Sequence, residues 1–211
     1  MNRKKTIIAA IVLALILLIG SLLAYFTDVD TATNKFTLGD EIDIEVVEDS
    51  GWTKNATSGK MENQNALGLH PGTSVTKEPS IKNKSTTTPA YVFAEVTVPC
   101  YASTGTTVDT PLYTLGNIGS GWTLIKTNAI DTTNKTITYV YAYGTSSGMT
   151  SLAENTTTST PVFGTVSVPT TLTAAQAKTA PANPDVVVVG RGIQTDGLGT
   201  ATTPTAIYAL L

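Results

Sequence analysis

A strict alternation of residue types limits what this chain can fold into more than any other feature of its sequence. In the stretch AYVFAEVTV, residues 90–98, every second position carries a small or branched apolar residue: Val92, Ala94, Val96 and Val98. The positions between them carry larger or polar side chains: Tyr91, Phe93, Glu95 and Thr97. Successive side chains of a β-strand point to opposite faces of the sheet. The alternation therefore predicts a strand whose first set of residues faces the core.

Similar stretches recur along the whole chain and predict an all-β protein. We expect strands near residues 36–46, 73–83, 90–98, 121–127, 136–143, 161–168 and 185–194. Thr is the commonest polar residue, and 17 Gly and 10 Pro supply turns such as HPGT at 70–73. Seven or eight strands joined by turn-rich links favour a two-sheet β-sandwich of the jelly-roll or Greek-key type. Short helices are expected at 171–178 and in the final TPTAIYALL.

Three local features qualify these strand predictions. Pro79 lies inside the 73–83 segment and indicates a sheet edge or a bulge, because proline donates no ladder hydrogen bond. Residues 49–69 are polar and irregular, which predicts a loop. The glycines of GRGIQTDG, around Gly190, follow no phosphate-binding pattern and predict a strand with close packing.

The amino terminus has the layout of an export signal. A basic start, MNRKKT, precedes an apolar run from Ile7 to Ala24, which predicts a signal helix in residues 1–24. We expect cleavage after Ala24, which leaves Tyr25 first. The run of about 18 residues is also long enough to remain as a membrane anchor, so that alternative stays open.

Charge argues against nucleic-acid partners. The formal net charge is −3, and loss of the three basic signal residues leaves 10 basic and 16 acidic residues, a net charge near −6. A mildly acidic surface without basic clusters does not attract polyanions.

The sequence offers no catalytic, cofactor or metal site. Its one histidine, His70, lies beside a Pro-Gly turn, where a solvated side chain is expected, and no HExxH pattern exists. Its one cysteine, Cys100, is expected to be a half-buried residue at a strand end, with an intermolecular disulfide as the alternative. The stretch DVDTATN, with Asp28, Asp30 and Asn34, departs from a calcium loop at the positions that need Gly and Glu.

Three segments carry a resemblance to a known family. They are LLAYFTDVDTATNKFTLGDEIDIEV after the apolar run, LHPGTSVTKEPSIKNKSTTTPAYVFAEVTV in the middle, and VVVVGRGIQTDGLGTATTPTAIYALL at the end. The chain resembles the TasA/camelysin family of Gram-positive exported proteins, whose precursors are processed by the signal peptidase SipW. The junction after the signal is the most specific part of the resemblance.

The resemblance implies a jelly-roll subunit secreted to the extracellular matrix or cell surface, where it polymerises into biofilm fibres. It implies a signal peptide at 1–24, a donor-strand segment at 25–36 and a β-sandwich domain at 37–211. By donor-strand exchange, Tyr25, Phe26, Val29 and Phe36 would enter a neighbouring copy in a head-to-tail homopolymer. The further partners implied are a SipW-type signal peptidase and accessory matrix proteins.

Two other functions remain as alternatives. One is a monomeric secreted or cell-surface β-sandwich that acts as a binding module. The other is a metalloendopeptidase like those described in the family, which the single histidine does not support. We therefore expect a structural protein and not an enzyme.

Overall fold

A computed structural model describes residues 27–29, 42–48 and 51–211 of the chain. The predicted signal helix at 1–24 lies outside these residues. No helix within the described ranges has the length and apolar character that a membrane crossing requires.

The described residues form mainly short strands. In chain order these are β1 (Thr27–Val29), β2 (Ile44–Val47), β3 (Thr53–Lys54), β4 (Met61–Glu62), β5 (Ser74–Thr76), β6 (Ser80–Asn83), β7 (Ala90–Tyr101), β8 (Thr110–Pro111), β9 (Thr114–Gly116), β10 (Trp122–Thr127), β11 (Thr136–Thr145), β12 (Gly148–Met149), β13 (Thr165–Ser167) and β14 (Val187–Gln194). A 3-10 helix at Gln64–Ala66 and two short α-helices, α1 (Ala174–Ala177) and α2 (Pro204–Tyr208), complete the set. The predicted all-β class is confirmed, as are the two short helices near the carboxyl end.

The main sheet has the order β1-β14-β7-β11-β10, and all of its neighbouring strands are antiparallel. The long strand β7 lies in the middle, paired on one side with β11 and on the other with β14. Strand β14 therefore joins a strand that precedes it by more than 90 residues.

A second layer packs against one face of the main sheet. It consists of the pair β2-β6 and the three-stranded sheet β5-β13-β9. The core between the layers contains the four β7 residues expected to face inward, each fully buried: Val92, Val96, Val98 and Ala94. The alternation in β7 thus predicted the core face correctly.

The opposite face of the main sheet is covered at its centre by the carboxyl-terminal segment. Helix α2 places Ile207 and Tyr208 against Phe93 and Ile193, and the rings of Phe93 and Tyr208 are 5.3 Å apart. Phe93 is fully buried although it lies on the face opposite to the main core. Burial on both faces explains why β7 carries so few charged residues.

The predicted strand at 73–83 is in fact two strands that belong to different sheets. Strand β5 pairs with β13, whereas β6 pairs with β2. Pro79 lies between them and donates no hydrogen bond, although its carbonyl accepts one from the Val162 amide. The chain therefore changes its sheet partner at Pro79, where the sequence predicted only an edge or a bulge.

The predicted loop at 49–69 is also wrong in part. Strands β3 and β4 form a small hairpin there, followed by the 3-10 helix. Its strands have only two residues each, too few for an alternation to be visible. The predicted HPGT turn is confirmed, because the Thr73 amide donates to the His70 carbonyl at 3.0 Å and Gly72 has a φ of 85°.

The core predicts a large loss of stability on truncation of a central side chain. Phe163 is fully buried in the core between the layers. Phe163→Ala should lower the free energy of unfolding by about 3–5 kcal/mol, measured by chemical denaturation. Leu124→Ala, at a side chain that is 47% exposed, is the control. A similar loss in both variants would contradict the described core.

Candidate functional site

The edge of the main sheet at β14 is where the predicted donor segment meets the folded domain. Strand β1 pairs antiparallel with β14 and sets Thr27 opposite Ile193, Asp28 opposite Gly192 and Val29 opposite Arg191. Of the predicted donor residues, Val29 therefore lies in β1. Tyr25, Phe26 and Phe36 lie outside the described residues, as does the expected cleavage point at Ala24.

The pairing covers less than half of the strand that receives it. Strand β14 has eight residues and all eight pair with β7. Only residues 191–193 pair with β1, and no other described strand pairs with the outer edge of residues 187–190. Where a strand edge has no partner, its amide and carbonyl groups are available to a further strand.

Two glycines of β14 let the second layer approach the edge strand closely. A Cβ atom on Gly192 would lie 2.5 Å from Cγ1 of Ile44, and one on Gly190 would lie 3.0 Å from Cγ2 of the same residue. These glycines face β2, so the edge of the main sheet is braced by a strand that follows the donor segment in the chain. The close packing expected around Gly190 is confirmed.

A charged cluster braces β14 from the opposite face. The Arg191 guanidinium donates two hydrogen bonds to the Glu95 carboxylate on β7, and the one from Nη2 to Oε2 measures 3.1 Å. The Tyr208 hydroxyl of α2 donates to Oε1 of the same carboxylate. A bidentate ion pair with a third donor fixes the three elements relative to one another.

The pKa values of this cluster follow from its contacts. Burial by itself raises the pKa of Glu95, but hydrogen bonds from Arg191 and Tyr208 and the nearby positive charges outweigh it and hold that pKa below its ordinary value. Burial, followed by the hydrogen bond to Glu95 and the charge of that group, raises the pKa of Tyr208 to about 12. At neutral pH the carboxylate is thus ionised and the phenol protonated.

The residues considered earlier for chemistry do not come together. His70 is exposed in its turn, as expected, and Cys100 is fully buried, more than the half-burial expected. Burial and the charge of Asp109 raise the pKa of the Cys100 thiol to about 11. Asp28 lies in β1, while Asp30 and Asn34 lie outside the described residues.

Sequence reasoning missed the partners of β14. Glu95 and Arg191 are single charges within otherwise apolar strands, which is a signal of a buried pair. Nothing in the sequence said that they pair with each other, because they are 96 residues apart.

The close contacts at the β14 glycines predict that even one added methyl group destabilises the fold. Gly192→Ala should lower the free energy of unfolding by about 1–3 kcal/mol, because the new Cβ overlaps buried Ile44. Gly148→Ala is the matched control, since nothing lies within 4 Å of a Cβ at that strand glycine. Equal denaturation midpoints for the two variants would show that β2 does not brace β14.

The charged cluster predicts two separate pH limits on stability. The pKa of Glu95 is lower in the folded state than in the unfolded state. Its contribution to the free energy of unfolding is therefore fully present above the pKa of the unfolded state and is lost as the pH falls through the pKa of the folded state. The pKa of Tyr208 is raised to about 12, so its contribution is present below the unfolded pKa near 10 and is lost as the pH rises through 12.

Denaturation midpoints measured across pH test these limits. Glu95→Gln should make the denaturation midpoint depend less on pH in the acid range than it does in the unsubstituted protein. Tyr208→Phe should reduce the pH dependence between about pH 10 and 12. Profiles of unchanged shape in both variants would exclude the cluster as their cause.

Comparison with known proteins gives one finding. The family model described as camelysin metallo-endopeptidase matches residues 2–100, which contain the predicted signal, β1 to β6 and most of β7. No curated protein and no solved structure matches the chain significantly.

The family description implies a metal ion, but the described residues do not fit one. Nowhere in the described ranges do three or more His, Cys, Asp or Glu side chains lie close enough together to hold a metal. The single histidine of the chain is exposed and its Nδ1 lies 3.4 Å from the Gly68 carbonyl of its own turn. The match nevertheless agrees with the resemblance seen after the apolar run: residues 2–100 of the chain match the TasA/camelysin family.

Proposed function

We propose that the protein is a secreted structural subunit of the extracellular or biofilm matrix, and that it polymerises by donor-strand exchange after removal of its signal peptide. The observation that carries the proposal is the short pairing of β1 with β14. The segment that supplies this strand begins next to the predicted cleavage point.

The contact suits exchange because it is short and made by main-chain groups. Only three residue pairs join β1 to β14, whereas eight join β14 to β7. Backbone hydrogen bonds of an edge strand depend little on which copy supplies the strand. The corresponding segment of a neighbouring copy can therefore form the same pairs.

The geometry of such an exchange leads to filaments. The donor segment and the β14 edge are different surfaces of one subunit, so the contact is heterologous. Each added subunit leaves one edge and one donor unused at the two ends, and growth continues. Removal of the signal peptide acts as the switch, because an amino terminus held in the membrane cannot enter a neighbour.

The proposed partners are further copies of the chain, a SipW-type signal peptidase and accessory matrix proteins, and the proposed location is outside the cell. We propose no catalytic role, since nothing in the described residues favours the peptidase activity in the family description. A monomeric β-sandwich is the second candidate, and one observation favours it: β1 pairs with β14 of its own chain.

Electron microscopy of purified protein distinguishes these two functions. Protein that starts at Tyr25 should form filaments, and protein that starts at Phe36 should remain as single particles because it lacks the strand. A synthetic peptide of residues 25–36 should shorten the filaments when added in excess, whereas a scrambled peptide should not. Single particles from both proteins would leave the monomeric binding module as the function.

A further inference from the structure

A cleft of about 690 Å³ lies beside residues 187 and 188 of β14, with whose outer edge no described strand pairs. It is bounded by the β3–β4 hairpin on one side and by residues 184–188 on the other. Most of its wall is apolar, with Val46, Trp52, Leu69, Val75 and Tyr113 among the lining residues.

The floor of the cleft holds a buried ion pair, and one oxygen of its carboxylate has no partner among the described residues. Lys77 binds Oε1 of Glu48, and both side chains are only 7% exposed. Lys77 also lies 4.3 Å from the ring centre of Trp52, whose indole nitrogen donates to the Thr76 carbonyl. Oε2 of Glu48 is buried without a hydrogen-bond partner among the described residues. A buried acceptor without a donor is costly, so the floor favours an occupant that brings one.

The mouth of the cleft is apolar and exposed. Leu67 is 63% exposed, Val187 49% and Met61 38%, and all three line the cleft. Large apolar side chains gathered at one exposed place indicate an interaction surface. The occupant therefore has an apolar group for the mouth and a hydrogen-bond donor for the floor.

The register of β1 identifies a segment with this chemistry. Each step forward along β1 is one step back along β14, from Thr27 opposite Ile193 to Val29 opposite Arg191. A donor strand that keeps this register sets its Thr33 opposite Val187 and its Asn34 opposite Val186. Residues directly opposite in an antiparallel pair lie on the same face, and Val186 lines the cleft.

We propose that the cleft receives residues 34–36 from the amino-terminal segment of a second copy. The Asn34 amide donates to Oε2 of Glu48, and Phe36 packs at the apolar mouth. A neutral amide suits the floor, because Lys77 already balances the charge of Glu48. The inference rests on the proposed strand exchange and adds the register and the anchor residue that exchange alone does not specify.

Disulfide trapping between two variants tests the register. Processed chain carrying Thr33→Cys is mixed with chain carrying Val187→Cys under filament-forming conditions. Directly opposed residues of an antiparallel pair lie within disulfide reach, so cross-linked dimers should form. Thr31→Cys mixed with Val187→Cys is the control and should give roughly tenfold fewer dimers, because the pair is two residues out of register. Native Cys100 is fully buried and should not contribute.

A charge variant tests the anchor. Asn34→Asp places a second carboxylate against Glu48 and should slow filament growth roughly tenfold. Thr31→Asp adds the same charge on the opposite face of the donor strand and should leave growth nearly unchanged. Circular dichroism of both variants checks that the domain remains folded.

The outcomes separate this inference from the proposed function. Filaments that form without preferential Thr33–Val187 trapping, or with equal growth of the two Asp variants, overturn the inference and leave strand exchange intact. Absence of filaments from the unsubstituted chain removes the proposed function itself. If a chain that carries both Cys substitutions forms the disulfide within itself and remains as single particles, the occupant of the cleft is not a second copy.

Discussion

The candidate site depends on the antiparallel pairing of β14 with β7. Eight residue pairs attach the last strand of the chain to a strand that is buried on both faces. On its other side β14 pairs, among the described strands, only with the three residues of β1. Eight pairs hold β14 in place, and no described strand pairs with the outer edge of its residues 187–190. A pre-ordered acceptor lowers the ordering entropy that strand addition would otherwise require.

The two faces of β14 serve this rigidity in different ways. On one face Gly190 and Gly192 have no side chains, so β2 lies directly against the backbone. On the other face Arg191 is held by Glu95, which also accepts from Tyr208 of the carboxyl-terminal helix. Close packing and a charge-assisted network therefore meet at three consecutive residues. Strand β1 pairs with residues 191–193, so it joins β14 where these contacts support it.

The observed pairing of β1 within its own chain and the proposed pairing between copies would use the same hydrogen-bonding groups. The balance between them is set by the effective concentration of the tethered strand and by contacts that only one arrangement can make. The three observed pairs give little preference to either arrangement. The proposed intermolecular pairing would gain an advantage over pairing within the chain from contacts beyond β1. These lie in the neighbouring cleft and at residues 187–190, with whose outer edge no described strand pairs. The Glu48 carboxylate oxygen that has no partner among the described residues would make that region sensitive to which strand is added.

Local sequence determined the parts of this protein that depend on neighbouring residues. The alternation at 90–98 identified β7 and its core face, and the HPGT sequence identified a turn. The residues after the apolar run indicated the family that matches residues 2–100. Tertiary structure alone decided the sheet partners: that β14 lies beside β7, that Pro79 divides one segment between two sheets, and that Glu95 meets Arg191. Side-chain alternation records which face of a strand is buried, but backbone hydrogen bonds are the same for every residue. The choice of partner is therefore made by the packing of the whole domain, which no local pattern encodes.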